Sequence, residues 1–136
     1  MPKKKGESAF EVTPGVTLSR TLIPVLPPNY ISRKSLFPLL ENGPGSTTVV
    51  IGPAGYGKTS LVAEWALSRQ EKVIWLTLTE RDSLADLSAI FIQATRNVIP
   101  GFGVWFDSEP GMRPIEIVRR WGNDLLATGE NYIFVI

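Results

Sequence analysis

Residues 47–61 read TTVVIGPAGYGKTSL. A β-branched run, Val49-Val50-Ile51, leads into a loop that carries Gly52, Gly55 and Gly57. The loop ends in Lys58-Thr59 and opens into a helix-compatible run. From Gly52 to Thr59 the stretch satisfies G-x-x-x-x-G-K-[ST], which in a strand–loop–helix setting describes a phosphate cradle. Glycines let the backbone turn tightly enough for successive N–H groups to converge on an anion. The helix that follows adds its unpaired first-turn donors and the positive end of its dipole. The expected nucleotide-binding residues are therefore Gly52, Pro53, Ala54, Gly55, Tyr56, Gly57, Lys58, Thr59 and Ser60. Lys58 reaches the β- and γ-phosphates and is the one catalytic assignment; the Thr59 hydroxyl ligates Mg2+. Ser60 is placed to touch the α-phosphate. By chance such a pattern arises in roughly one chain in 200 of this length at average composition.

Outward from this loop, the chain alternates strands and helices. The loop's helix is expected over about Gly57 to Arg69, with Leu61, Val62, Trp65 and Ala66 on one face. Val73 to Leu78 (VIWLTL) is nearly continuous in apolarity, as a buried parallel strand is. Ser83 and Asp86 have the spacing of a capping box, and Leu84, Leu87, Phe91, Ala94 and Val98 mark a helix over about Leu84 to Val98. Pro100 to Gly111 reads as a loop with two aromatics, Trp105 and Phe106. Pro114 suits a first helical turn, and Ile115, Val118, Gly122 and Leu125 carry a helix to about Ala127. Tyr132 to Ile136 (YIFVI) is a third apolar strand. Upstream, Ser32 or Ser35 caps a short helix through about Glu41, with Leu36, Leu39 and Leu40 inward. Leu22 to Pro28 is apolar but broken by three prolines, so it reads as an extended segment with its Leu and Val side chains tucked in. Residues 1–20 form a weakly ordered tail, and 21–136 the folded unit. The fold class is α/β, a partial three-layer P-loop NTPase arrangement: a parallel sheet with helices on both faces.

Composition narrows the chemistry. The chain has 136 residues, 14 basic against 13 acidic side chains, and a net charge of +1. Nothing in that balance builds a surface for nucleic acid, and Lys3-Lys4-Lys5 reads as a solvated terminus. There is no cysteine and no histidine, which removes disulfides, thiolate or imidazole metal sites, and Cys–His or Ser–His catalysis. No apolar run is long enough to span a membrane, and no secretory leader is apparent. A cytoplasmic location is the default expectation. Trp75 reads as core. Glu80 and Asp82 lie just past a strand's carboxyl end, where they either cap and solvate or orient water or metal. Arg113, Arg119 and Arg120 read as a solvated helix face.

With these residues in view, the chain resembles the N-terminal part of the STAND class of P-loop NTPases. Within that class it is most similar to the maltose-regulon activator and the large LuxR-type ATP-dependent transcriptional regulators. The matching segments are Leu22-Ile23-Pro24, Arg33 to Leu36, Pro53 to Leu61 (PAGYGKTSL), Glu64-Trp65 and Trp75 to Asp82 (WLTLTERD). Thr79 departs from the class, which usually has Asp there, and Pro38 interrupts the early helix. The resemblance implies an ATP-driven switch, ADP-bound at rest and ATP-bound and self-associating once an inducer arrives. It places Arg33 in the segment that borders the nucleotide base. The cofactors it implies are ATP or ADP with Mg2+. It implies no nucleic-acid contact from this segment and no membrane. No guanine-reading N-K-x-D motif is present, which leans to ATP.

In that class the third strand is followed by an acidic pair that holds Mg2+ through water. Here Ile133 to Ile136 supplies the apolar run without the pair, so the expectation is a fragment of a larger protein that binds nucleotide without turning it over. A P-loop small-molecule kinase or transferase and a non-catalytic nucleotide-binding remnant are the alternatives. Strand adjacency separates the first of these: in a kinase the strand before the loop pairs directly with the third strand. In the STAND arrangement another strand lies between them.

Overall fold

The computed structural model describes residues 12–136. The first eleven residues, Lys3-Lys4-Lys5 among them, lie outside the described part. Two strands, β1 (Lys72–Trp75) and β2 (Tyr132–Val135), pair in parallel with Val73 opposite Ile133 and Trp75 opposite Val135. Helices α1 (Lys58–Leu67), α2 (Leu84–Arg96), α3 (Trp105–Ser108) and α4 (Pro114–Ala127) surround them. Two short 3-10 segments, Leu18–Thr21 and Lys34–Leu39, precede α1.

The strand pleat sends successive side chains to opposite faces, and two apolar clusters follow from it. Trp75, with Val73 and Val135, packs on Ala63 and Ala66 of α1. Ile74 and Leu76 pack on the other side against Ile90, Ile92 and Ala94 of α2 and Ile117 and Leu125 of α4. Helices therefore cover both faces of the pair. Trp121 of α4 sits between Phe91, tilted at a centroid distance of 4.9 Å, and Phe134, edge-to-face at 5.6 Å.

The fold is mixed α/β, as expected, but the sheet is smaller. Among the described residues it has two strands. The strand expected at Thr47 to Ile51 does not form: the segment is irregular, with Val49 73% and Ile51 88% exposed. A β-branched run becomes a strand only when a neighbour completes its backbone hydrogen bonds, and no described strand lies beside it. Past β1, Leu76 N–H still donates to the Val135 carbonyl, and Thr77 N–H, on the other edge, donates to the Arg20 carbonyl at 2.8 Å.

That second bond belongs to a set made by residues 13–21, which include the last part of the stretch expected as a weakly ordered tail. Thr13 is buried, and its N–H donates to Gln93 Oε1 at 2.6 Å. Asn97 Nδ2 donates to the carbonyl and hydroxyl of Thr21. Residues 13–21 are thus fastened across α2 and the end of β1. The extended segment beyond them is half tucked: Ile23 and Leu26 pack beside Trp75, while Val25 is 95% exposed.

The helices form where their periodicity put them, with changes of face. The Ser83–Asp86 capping box closes in both directions. In α2 Leu84 is exposed, and Ser88, Ile90, Ile92, Gln93, Ala94 and Thr95 are buried, because α4, β1 and the 13–21 segment enclose its second half. In α4 Ile115 is exposed, and the buried positions are Ile117 and Leu125. The expected loop around Trp105 winds into α3. There the indole is buried, donates from Nε1 to Asp124 Oδ2 at 2.6 Å, and lies under Arg120 at 4.5 Å. The helix expected to start at Ser32 or Ser35 is a 3-10 segment with Pro38 inside it and Leu39 exposed. Among the described residues no helix is long and apolar enough to cross a membrane.

Candidate phosphate-binding site

The loop at Gly52–Gly57 is exposed along most of its length and delivers the chain into α1. Gly55 and Gly57 have φ of +81° and +68°. Side-chain-bearing residues avoid that region because Cβ approaches the following carbonyl. At Gly57 a second constraint acts, since a Cβ there would stand 2.7 Å from Arg33 Nη2. A left-handed residue followed by the right-handed start of α1 makes consecutive N–H groups converge, the geometry of an anion nest.

The Lys58 ammonium closes the loop on itself. Its Nζ donates to the carbonyls of Gly52 and Pro53 at 2.7 and 2.8 Å. A seven-residue ring results, with the cation held at its rim by solvent-facing hydrogen bonds that a phosphate oxygen can replace. Thr59 is exposed and Ser60 half-buried in the first turn of α1. The expected phosphate residues, Gly52 through Ser60, thus lie together on one exposed turn.

Arg33 also reaches this turn. Its Nη1 donates to the Tyr56 carbonyl at 3.0 Å and its Nη2 to the Gly57 carbonyl at 2.5 Å. The guanidinium also lies over the Tyr30 ring, 5.9 Å from its centroid. Glu64, one and a half turns into α1, holds the same segment. Its carboxylate accepts from Tyr30 Oη at 2.9 Å, Ser32 Oγ at 2.5 Å and the Arg33 N–H at 3.2 Å. Ser32 is therefore a partner of Glu64 rather than a helix cap. The Ser32 hydroxyl first, then the Arg33 N–H and Tyr30 hydroxyl, hold the Glu64 carboxyl below its ordinary pKa. Sequence reasoning missed Glu64 as a functional group. No local signal marked it: Glu64 lies off the apolar stripe of α1 set by Leu61, Val62, Trp65 and Ala66, and its donors are 31 to 34 residues away in the chain.

The other acidic candidates divide. Asp82 accepts from Arg20 Nη2 at 2.5 Å and from the Thr79 N–H at 2.6 Å, so it fastens the 18–21 segment to the end of β1. The Arg20 guanidinium is the main cause that lowers its pKa. Glu80 is exposed. Arg113 pairs with Glu116 and Arg120 with Glu109. Among the described residues no group of three or more Asp, Glu, His or Cys side chains is placed to hold a metal ion.

The lowered carboxyls set a pH dependence. A carboxyl whose pKa is lower in the folded than in the unfolded chain adds stability above the unfolded value, and that stability is lost as pH falls through the folded one. Glu64, Asp82, Asp86 and Glu116 are all lowered. Melting temperature is expected to hold level from neutral pH to about 5 and to fall progressively below about 4. A melting temperature that stays level to pH ~3 would contradict the pairing described for these groups.

Comparison of the chain with protein-family models, with curated proteins and with solved structures found no match.

Proposed function

We propose that this chain is the ATP-binding module of a STAND-type regulatory switch, taking ATP or ADP with Mg2+ at the Gly52–Ser60 turn. The observation that carries this is the turn itself. Two left-handed glycines, an ammonium on the rim and the start of a ten-residue helix converge on one exposed surface. A nucleotide's phosphates supply the dense negative charge that such an arrangement stabilises. The Thr59 hydroxyl fits Mg2+, which keeps several waters and takes phosphate oxygens rather than an all-protein cage. The bound ion would neutralise phosphate charge.

The regulatory part rests on the resemblance of Arg33–Leu36, PAGYGKTSL, Glu64-Trp65 and the Trp75 strand to the STAND class. The sheet is neutral between this reading and a small-molecule kinase: β2 pairs with β1, and 47–51 forms no strand beside either. The pairing of Arg113 and Arg120 with glutamates leaves less of an arginine-rich lid. Self-association, response to an inducer and transcriptional output would belong to the whole protein, in the cytoplasm.

Catalysis needs a carboxylate held where it can orient water; Glu64 is committed to Tyr30, Ser32 and Arg33, Asp82 to Arg20, and Glu80 is exposed to solvent. We therefore expect these 136 residues to bind ATP without sustained hydrolysis. Calorimetric titration with Mg-ATP, paired with a phosphate-release assay, tests both parts. Saturable binding with no steady release is the expected result. Absence of binding at millimolar ATP contradicts the function, and steady release contradicts the account of the carboxylates.

A further inference from the structure

We propose that Arg33 and Glu64 are positioning residues that aim the phosphate-binding amides, and that Arg33 acts on the phosphates through the backbone rather than on the base. The proposal rests on the nucleotide-binding reading above and deepens it. Each trans peptide is planar, so its C=O and the next N–H point in opposite directions. The Arg33 guanidinium takes the carbonyls of Tyr56 and Gly57, two consecutive peptides. By drawing both carbonyls to one side, it turns the N–H groups of Gly57 and Lys58 to the other. Those amides flank the left-handed Gly57, where the loop passes into α1.

A planar fork is the group for this task, because two of its N–H donors meet two acceptors at fixed separation. The Gly57 carbonyl also accepts the Leu61 N–H at 2.9 Å, so the guanidinium grips the first hydrogen-bonded turn of α1 as well as the loop. Glu64 makes the brace rigid. Its carboxylate rises from the same helix and takes three donors from Tyr30, Ser32 and Arg33, so segment 30–33 is tied to α1 before the guanidinium reaches back to the loop. Helix, segment and loop close a circuit. Glycine at 57 is part of the fit, since a Cβ there would press on the guanidinium.

The brace and a base contact differ in what they sense. A base contact would distinguish ATP from GTP and would not affect a ligand without a base. A brace acts on every phosphate ligand alike. The test measures binding of inorganic tripolyphosphate, ATP and GTP to the 136-residue chain and to Arg33→Ala, Arg33→Lys, Glu64→Gln and Lys58→Ala. Circular dichroism confirms that each variant is folded. Arg33→Ala is expected to weaken all three ligands by the same factor, roughly ten- to a hundredfold. Arg33→Lys, whose single ammonium cannot span both carbonyls, recovers only part of it. Glu64→Gln gives a smaller but equally uniform loss.

Should Arg33→Ala not fold, the uniform partial loss in Arg33→Lys carries the test. Unchanged tripolyphosphate binding in the arginine variants overturns the brace, whether the ATP-to-GTP ratio shifts or not. If Lys58→Ala loses tripolyphosphate while Arg33→Ala keeps it, the brace alone fails. If the unaltered chain binds none of the three ligands, the nucleotide reading fails with it.

Discussion

Replacing Lys58 with alanine is expected to weaken nucleotide binding by about a hundred- to a thousandfold while leaving the fold in place. The two halves of that expectation have separate origins. The ammonium's contacts are with the carbonyls of Gly52 and Pro53 on the exposed rim of the loop. Solvent-facing bonds of this kind contribute little to stability because water replaces them, so the folded state should change by less than about 0.5 kcal/mol. Toward a triphosphate the same group is a point charge beside two phosphates, and charge-assisted hydrogen bonds of that kind are the strong ones. Calorimetry on the variant, with thermal melts alongside, reads both. Binding within about twofold of the unaltered chain would mean that the loop is a glycine turn or a remnant without a ligand.

The second large effect is on the fold. Trp75→Ala is expected to destabilise the chain by about 3–5 kcal/mol, the usual range for an aromatic-to-alanine change in a core. Trp75 is 5% exposed and stands on Ala63 and Ala66, which are 0% and 3% exposed. Ile23, Leu26, Val62, Trp65, Val73 and Val135 surround the same cluster. The two alanines are small because the indole occupies the space between β1 and α1, so its removal leaves a hole that no neighbour of theirs can fill. Its Nε1 bond to Thr77 Oγ1, at 3.2 Å, is lost as well. Small domains have only about 5–15 kcal/mol in total, so the melting temperature should fall on the order of 10–20 °C. Trp75→Phe should recover part of the loss. A Trp75→Ala chain that melts within about 3 °C of the original would show that β1 and α1 are not joined through this residue.

What could be read in the sequence was local. The helices at 84–96 and 114–127 announce themselves through period and caps, Ser83 with Asp86 and Pro114 at a first turn, because those signals act within one or two turns. The loop was legible for the same reason, since its glycines and lysine are close neighbours in the chain. Strand formation at 47–51 was not legible. TTVVI has the residue types of a strand, but pairing depends on a partner that composition does not reveal. The fastening of the N-terminal segment was equally hidden. Thr13 meets Gln93 across 80 residues and Arg20 meets Asp82 across 62, and polar side chains at either end look like surface.

Arg33 shows how far a resemblance goes without geometry. The resemblance placed it beside the nucleotide base, and in the structure its side chain reaches the Gly52–Gly57 loop. Its partners are the loop carbonyls of Tyr56 and Gly57. Only a contact between residues 33 and 57 could show that, and it depends on Glu64 holding the segment from α1. The face of α4 erred for a simpler reason. Ile115 and Ile117 are both apolar, and only the packed neighbours decide that the second turns inward.

The most direct test of the central claim is a site-resolved one: amide chemical shifts of the isotope-labelled chain recorded while Mg-ATP is added. The expected result is a saturating change concentrated at Gly52–Ser60 and the first turn of α1, with smaller changes at Tyr30–Arg33 and Glu64, and none of it in Lys58→Ala. Shifts that stay unchanged across Gly52–Ser60 at millimolar nucleotide, or that move only at residues away from this turn, would contradict it.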